Sequence, residues 1–107
     1  MACEGLRVRY SLRASVDMRE YAEYYEARVA GLAPSFLACV RDAEQLALSN
    51  PTGFHEIETS SGIRSIVIRR FPFRLLYAVR GNTVLILAVA HTARKPDPRF
   101  RRRSDRP

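Results

Sequence analysis

The order of patterned segments predicts an α+β domain in which a helical hairpin packs on a mainly antiparallel four-stranded sheet. Three observations predict it: an alternating segment near the start, two amphipathic stretches joined by a short link, and three strand-like runs in the second half. The element order is therefore β-α-α-β-β-β. The chain has 107 residues, which suits one domain. We assign that domain to residues 6–98 and an arginine-rich tail to residues 99–107.

The first half of the chain carries one strand and the two helices. Apolar and basic residues alternate over 6–10, which indicates a half-buried strand. Ser11 is a typical N-cap, and apolar side chains at three- and four-residue spacing predict an amphipathic helix over 12–29. Gly31 suits the end of that helix, and Pro34 suits the first turn of the next one. The short link between them indicates an antiparallel hairpin.

The second half carries the other three strands. Residues 50–62 lack a clear period and contain prolines, glycines and serines, so we interpret them as a loop. Strands are predicted over 63–70, 73–79 and 84–90, and the last of these is continuously apolar, as expected of a strand covered on both faces. A tight hairpin turn is predicted at 80–83, with its Gly and Asn supplying positive backbone angles.

Charge is distributed unevenly along the chain. Residues 1–60 carry six arginines against nine acidic residues, a net −3, whereas residues 61–107 carry twelve basic residues against two acidic ones, a net +10. All basic residues but Lys95 are arginine, whose planar guanidinium binds phosphate and carboxylate groups through several donors. The asymmetry indicates an anionic partner, either nucleic acid or an acidic protein segment.

Several classes of protein are disfavoured by the sequence. Cys3 and Cys39 are too few for a disulfide framework and lack the spacing of a metal site, so no cofactor or metal is expected. Neither a signal peptide nor a run long enough to span a bilayer is visible. We therefore expect a cytoplasmic protein with no membrane partner.

Five blocks of sequence have a recognisable order and spacing. They are Tyr10-Ser11 followed by Ala14, then Gly62-Ile63-Arg64, then FPFRLLYAV over 71–79, then VLILAVAH over 84–91, and finally Arg94. Together these blocks resemble the ParE/RelE superfamily of toxins from bacterial type II toxin–antitoxin modules, from about Val8 to Phe100. The Pro34 start of the second helix and the ending His91 to Arg94 are most similar to the ParE branch.

The resemblance implies two protein partners. One is a cognate antitoxin whose C-terminal segment folds as it binds, and the other is DNA gyrase, the target associated with ParE-like members. DNA itself is then expected to be contacted only through the antitoxin. The residues assigned to antitoxin binding are Tyr21, Tyr24, Tyr25, Phe36 and Val40. The residues assigned to target binding are Arg64, Arg70, Arg74, His91, Arg94, Phe100 and Arg101.

An alternative function is ribosome-dependent mRNA cleavage, as in RelE-like and YoeB-like members. A metal-independent ribonuclease needs a base, a cation for the phosphate and an acid for the leaving oxygen. Arg74 matches the strand arginine of that branch, Arg64 is placed to support it, and His91 is a candidate acid. The base is assigned to one of the two loop glutamates, Glu56 or Glu58.

The ending of the last strand disfavours this ribonuclease hypothesis. The family places its acid, a His or Tyr, where this chain has Thr92-Ala93, and neither residue can donate the proton. We therefore expect a binding protein rather than an enzyme. A third, weaker hypothesis is a family member that only binds nucleic acid. Simpler structural roles also stay open, with the tyrosines in the helix core and His91 hydrogen-bonded at a strand end.

Overall fold

Six elements follow one another in the predicted order. In the computed structural model, which describes residues 6–57 and 61–92, they are β1 (Arg7–Tyr10), α1 (Leu12–Arg28), α2 (Leu32–Ser49), β2 (Ile63–Ile68), β3 (Phe73–Arg80) and β4 (Thr83–His91). The α+β architecture is therefore confirmed. Neither of these two helices is long and apolar enough to cross a membrane.

The four strands form one sheet in the order β1-β4-β3-β2. The β2–β3 and β3–β4 pairs are antiparallel, whereas β1 runs parallel to β4. The first strand of the chain is thus hydrogen-bonded to the last, and β3 and β4 form the two central strands. The hairpin between them turns at Gly81, whose φ of +60° a glycine adopts without strain.

Both helices pack on one face of the sheet, which we call the helix side. α1 contacts β4 and β1, while α2 contacts β2 and β3. Alternate strand residues point to this side, and the largest of them, Phe73, Tyr77 and Ile86, are almost completely buried. The intervening residues point to the opposite side of the sheet, which we call the outer face.

An aromatic cluster fills the core on the helix side. Phe36 of α2 is fully buried, and its ring centroid lies 5.3 to 5.6 Å from those of Phe71, Phe73 and Tyr25. Tyr21 completes the cluster at 4.4 Å from Phe73. Tilted and edge-to-face pairs at these separations are favourable beyond the area that they bury. The cluster holds both helices against the same end of the sheet.

Ser11 joins the first helix to the last strand. As predicted, it is the N-cap of α1, because its Oγ accepts a hydrogen bond from Ala14 N at 3.0 Å. The same hydroxyl donates to Leu87 O at 2.9 Å. In the pairing of β3 with β4, Leu76 lies opposite Ala88 and Tyr77 opposite Ile86, so Leu87 is an extra, bulged residue without a partner on β3. Its carbonyl is therefore available to accept the hydrogen bond from Ser11.

A side chain from α1 caps the second helix. Gly31, with φ of +87°, is the N-cap of α2 and has no side chain to accept a hydrogen bond. The Glu26 carboxylate accepts from Gly31 N at 2.9 Å and from Ala33 N at 3.0 Å instead. These two hydrogen bonds lower the pKa of Glu26. The link between the helices is therefore fixed by an acidic side chain at a helix N-terminus, where negative charge is favourable.

Three details differ from the sequence-based expectations. The strand β2 ends at Ile68 rather than at residue 70. In the hairpin turn Gly81 has a positive φ whereas Asn82 does not, which is the pattern of a type II′ turn. The central strand β4 alternates between buried and half-buried residues, because the helices cover only one of its faces.

Candidate functional site on the outer face

The outer face carries a cleft around Arg74, which we call the Arg74 cleft. Its volume is about 320 Å³. It lies across the ends of three strands, where the loop before β2 approaches the sheet. The residues that line it are His55, Ile57, Ser65, Arg74, Leu76, Ala90, His91 and Thr92.

Arg74 stands at the centre of the sheet and is exposed. It lies on β3, opposite Val67 on one side and Ala90 on the other. Its Nη1 lies 3.4 Å from the hydroxyl of the buried Ser65, and Val67 beside it is 54% exposed. A cation beside an exposed apolar side chain, both held by a central sheet, is a surface able to bind a protein or an anion.

The Arg74 cleft does not include Arg64. Arg64 pairs with Tyr77, which points to the helix side, so its side chain and that of Arg74 leave the sheet on opposite faces. Arg64 Nη1 donates to Phe54 O at 2.6 Å and holds the loop before β2. The expectation that Arg64 supports Arg74 at one anion is therefore wrong, because a strand's alternation separates the two guanidinium groups.

Glu56 is also engaged away from the Arg74 cleft. It forms an isolated antiparallel bridge with Arg64 and so shares that residue's face. One carboxylate oxygen accepts from Gly62 N at 3.0 Å. The neighbouring Tyr77 hydroxyl donates to Pro51 O at 2.8 Å, and burial raises the pKa of that phenol. These contacts engage Glu56 in bracing the fold rather than as a base beside Arg74, while Glu58, the other candidate base, lies outside the described residues.

His91 ends β4 at the rim of the Arg74 cleft. It pairs with Phe73, and the two ring centroids are 5.2 Å apart with the planes nearly perpendicular. Thr92 follows it, and Thr92 N donates to Pro72 O at 2.8 Å. The structure thus places His91 and His55 at the lining of the Arg74 cleft, and the sequence did not single out His55 because it stands in an unpatterned loop. The His91 ring itself shares the helix side of the sheet with Phe73, whereas the Arg74 side chain points to the outer face.

Arg70 belongs to the turn between β2 and β3 and does not line the Arg74 cleft. It is exposed, with φ of +75°, the one non-glycine residue with a positive φ in the described part of the chain. Arg94, Phe100 and Arg101, together with the tail at 99–107, lie outside the described residues.

The residues assigned to antitoxin binding divide into two groups. Phe36 and Val40 are fully buried, so the expectation that they contact a partner is wrong: their apolar stripe faces the sheet. Tyr21 and Tyr25 are partly buried against the same core. Tyr24, in contrast, is 51% exposed, and the Arg28 guanidinium lies 4.6 Å from its ring centroid.

A second cleft, on the same face, was missed by the sequence analysis. It has a volume of about 430 Å³ and is lined by Arg9, Tyr10, Ser11, Leu12, Arg80, Thr83 and Leu85. The alternation in the first strand identified Arg9 as exposed, but nothing in the sequence shows that the first strand lies beside the last. In the described ranges 6–57 and 61–92, no group of three His, Cys, Asp or Glu side chains is placed to hold a metal ion.

Comparison with known proteins identifies the family. The family model described as ParE toxin of type II toxin-antitoxin system, parDE, matches residues 8–96. A comparison with curated proteins finds no match.

Two solved structures show the same fold. A chain of the chromosomal ParDE TA system from P. aeruginosa has a TM-score of 0.71 and 16% identity, over 80% of this chain and 95% of that one. The YoeB/ParE toxin from Agrobacterium tumefaciens has a TM-score of 0.57 and 14% identity, over 80% and 98%. Since the family model covers most of the sequence, the chain belongs to the ParE family of toxins from type II toxin–antitoxin systems.

Proposed function

We propose that this protein inhibits DNA gyrase by binding it and is neutralised by a cognate antitoxin. Membership of the ParE family supports a toxin, and one observation favours binding over cleavage. Arg64 and Glu56, two of the residues assigned to a ribonuclease site with Arg74, hydrogen-bond the backbone at Phe54 and Gly62 on the opposite face of the sheet.

The target surface in this proposal is the outer face around Arg74. Arg74 and Val67 are exposed side by side, and β3, which carries Arg74, is paired with a strand on each side. Arginines beside apolar groups on a rigid support carry a large share of the energy in protein interfaces. A toxin that acts by binding needs such a surface but no proton donor. Thr92, at the position of the family's acid, is therefore compatible with this function.

The antitoxin surface in this proposal is the exposed end of α1. Tyr24 and Val29 are both more than half exposed, and Arg28 lies against the Tyr24 ring. An apolar antitoxin segment with a carboxylate at its edge matches this combination. We expect Tyr24→Ala to weaken antitoxin binding about tenfold, since buried interface tyrosines are typically worth more than 1 kcal/mol. Glu23→Ala, an exposed neighbour, is the control in the same titration.

The gyrase proposal is tested with purified gyrase and purified toxin. The wild-type chain is expected to stop supercoiling of a relaxed plasmid and to leave ribosome-bound mRNA uncut. Arg74→Ala is expected to lose most of the gyrase inhibition, whereas Arg41→Ala on the helix side retains it. Unimpaired supercoiling at toxin concentrations that stop growth contradicts the proposal.

One observation favours a second candidate function, mRNA cleavage. His55 and His91 line the same cleft as Arg74. Imidazoles are the side chains most often used to transfer protons near neutral pH, and the Arg74 guanidinium in the same cleft supplies a cation for a phosphate. If this function holds, ribosome-dependent cleavage by the wild type falls about 10²-fold or more in His55→Ala or His91→Ala. Under this alternative, the wild-type protein does not inhibit gyrase.

A further inference from the structure

We propose that Arg7, Arg9 and Arg80 form a site that binds the phosphate backbone of duplex DNA. This site, the three-arginine cleft, lies on the outer face at the β1 edge, apart from the Arg74 cleft. It adds a direct DNA contact to the indirect one expected through the antitoxin.

Strand register brings the three arginines together. Thr83 of β4 is paired with Arg7 on β1 and with Arg80 on β3, so these three residues form one row across the sheet. The ends of the row are about 10 Å apart at Cα, two strand spacings. Arg9 follows Arg7 on the same face about 7 Å along β1. Arg9, Arg80 and Thr83 line one cavity, so long guanidinium side chains surround a floor that contains a threonine hydroxyl.

The positive charge of this cleft is not neutralised within the described part of the chain. All three arginines are exposed, and none of them forms an ion pair or a side-chain hydrogen bond with a residue in 6–57 or 61–92. The acidic side chains of those ranges lie on the two helices and in the loop before β2, and none lines this cavity. Three like charges held together repel one another, so an anion is the complementary ligand.

The chemistry of the lining favours a nucleic acid backbone. Guanidinium groups bind phosphate oxygens through two parallel hydrogen bonds. The apolar lining residues, Leu12 and Leu85, are aliphatic, and the one aromatic residue, Tyr10, donates its hydroxyl to the Glu44 carboxylate on α2. No ring in the cleft is therefore placed to stack on an unpaired base.

A surface that holds phosphates without stacking bases suits a duplex, whose bases are already stacked. The choice of DNA over RNA rests on the proposed function, since gyrase works on duplex DNA. Contacts of this kind fix the position of a protein on the duplex and carry no sequence information. Binding is therefore expected to be independent of sequence and strongly dependent on salt.

The test measures DNA binding without gyrase. The full-length chain is titrated into a fluorescein-labelled 20-base-pair duplex of mixed sequence, and anisotropy is followed at several KCl concentrations. The triple variant Arg7→Ala, Arg9→Ala, Arg80→Ala is compared with Arg19→Ala, Arg28→Ala, Arg41→Ala, which removes the same charge from the exposed surface of the helices. Circular dichroism and melting curves check the fold of both.

The expected result is a loss specific to the three-arginine cleft. The slope of log K against log salt falls by about 2.7 in the first variant, because each lost phosphate contact is worth about 0.9, and by less than about 1 in the helix variant. If the first variant does not fold, Arg80→Gln alone is expected to lower the slope by about 0.9.

Three results would overturn the inference. The first is that the wild type does not bind DNA, and the second is that the salt slope of DNA binding falls equally in the two triple variants. The third is that the variant without the three arginines of the cleft loses binding to a labelled poly-glutamate peptide while its DNA binding is unchanged. The last result assigns the cleft to an acidic protein segment instead. Because gyrase is absent from the assay, each of these results leaves the gyrase proposal to its own supercoiling test.

Discussion

The two faces of the sheet are built from the same strands and have opposite chemistry. On β3, Phe73, Leu75 and Tyr77 point to the helix side and are buried among aromatic and aliphatic side chains. Arg74 and Arg80 point to the outer face and are exposed, one on each side of the buried outer-face residues Leu76 and Ala78. The helix side stabilises the domain, and the outer face offers charge to a partner.

Under the proposed function, this contrast separates the residues that stabilise the domain from those that bind a partner. Successive strand residues face opposite sides, so a substitution on one face changes contacts that the other face does not share. Residues on the outer face are therefore expected to tolerate charge changes that would unfold the protein if placed on the helix side.

The largest loss of stability is expected for Phe36→Ala. The ring is fully buried and contacts aromatic side chains from α1, β3 and the turn before β3. Removing it leaves a cavity that these elements cannot close, which typically costs about 3–5 kcal/mol. Urea unfolding measures the loss, with the half-exposed Tyr24→Ala as the control. A loss below about 1 kcal/mol would show that the aromatic cluster does not organise the core.

A smaller loss is expected for Tyr77→Phe. The ring stays buried, but Pro51 O loses the hydroxyl that donates to it at 2.8 Å. Losing one hydrogen bond to a partly buried carbonyl typically costs about 0.5–1.5 kcal/mol, and this one holds the loop before β2. Urea unfolding of Tyr77→Phe beside Tyr24→Phe isolates the contribution of the hydroxyl. Equal stabilities of the two variants would mean that the loop is not braced from the helix side.

The cap on the second helix is expected to make stability depend on pH. The folded pKa of Glu26 is lowered by the two amides that it accepts from, so its stabilising contribution is present above the unfolded pKa and is lost as pH falls through the folded pKa. Glu26→Gln should melt below the wild type at pH 6, and the difference should shrink below about pH 4. A difference that does not change with pH would exclude the charged cap.

The smallest stability effect is expected for Arg74→Ala. The side chain is exposed and makes one long contact to the Ser65 hydroxyl. The free energy of unfolding should change by no more than about 0.5 kcal/mol, as for most surface substitutions. The same variant is the one expected to lose gyrase inhibition. A large loss of stability would contradict the separation of the two faces, because it would make this arginine a structural residue.

Local patterns were enough to predict the elements. Ser11 is the N-cap of α1, the helices fall where the apolar stripes are, and Val67 is exposed between the buried Ile66 and Ile68. Each of these features depends on neighbours in sequence. The prediction for β4 was less accurate, since a continuous apolar run does not show that Leu87 is bulged or that one face lacks helices.

The site was harder to predict because it depends on strand register. Arg64 and Arg74 stand on two strands joined by a turn, and only the pairing of Arg64 with Tyr77 shows that they leave opposite faces. Likewise, Arg7 and Arg80 are far apart in sequence, and they meet across Thr83 because β1 pairs in parallel with β4. Neither arrangement has a signal in the spacing of residues along the chain.

The parallel pairing of β1 with β4 also limits when during synthesis the domain can fold. Ser11 donates to Leu87 O, Ser11 N to Ile86 O and Val89 N to the Asp17 carboxylate, so the start of the domain has its partners some 70 residues later in the chain. A nascent chain that stops before β4 has no strand on which β1 and β3 can meet. We therefore expect the domain to fold, and any toxicity to begin, only after the last strand has been synthesised.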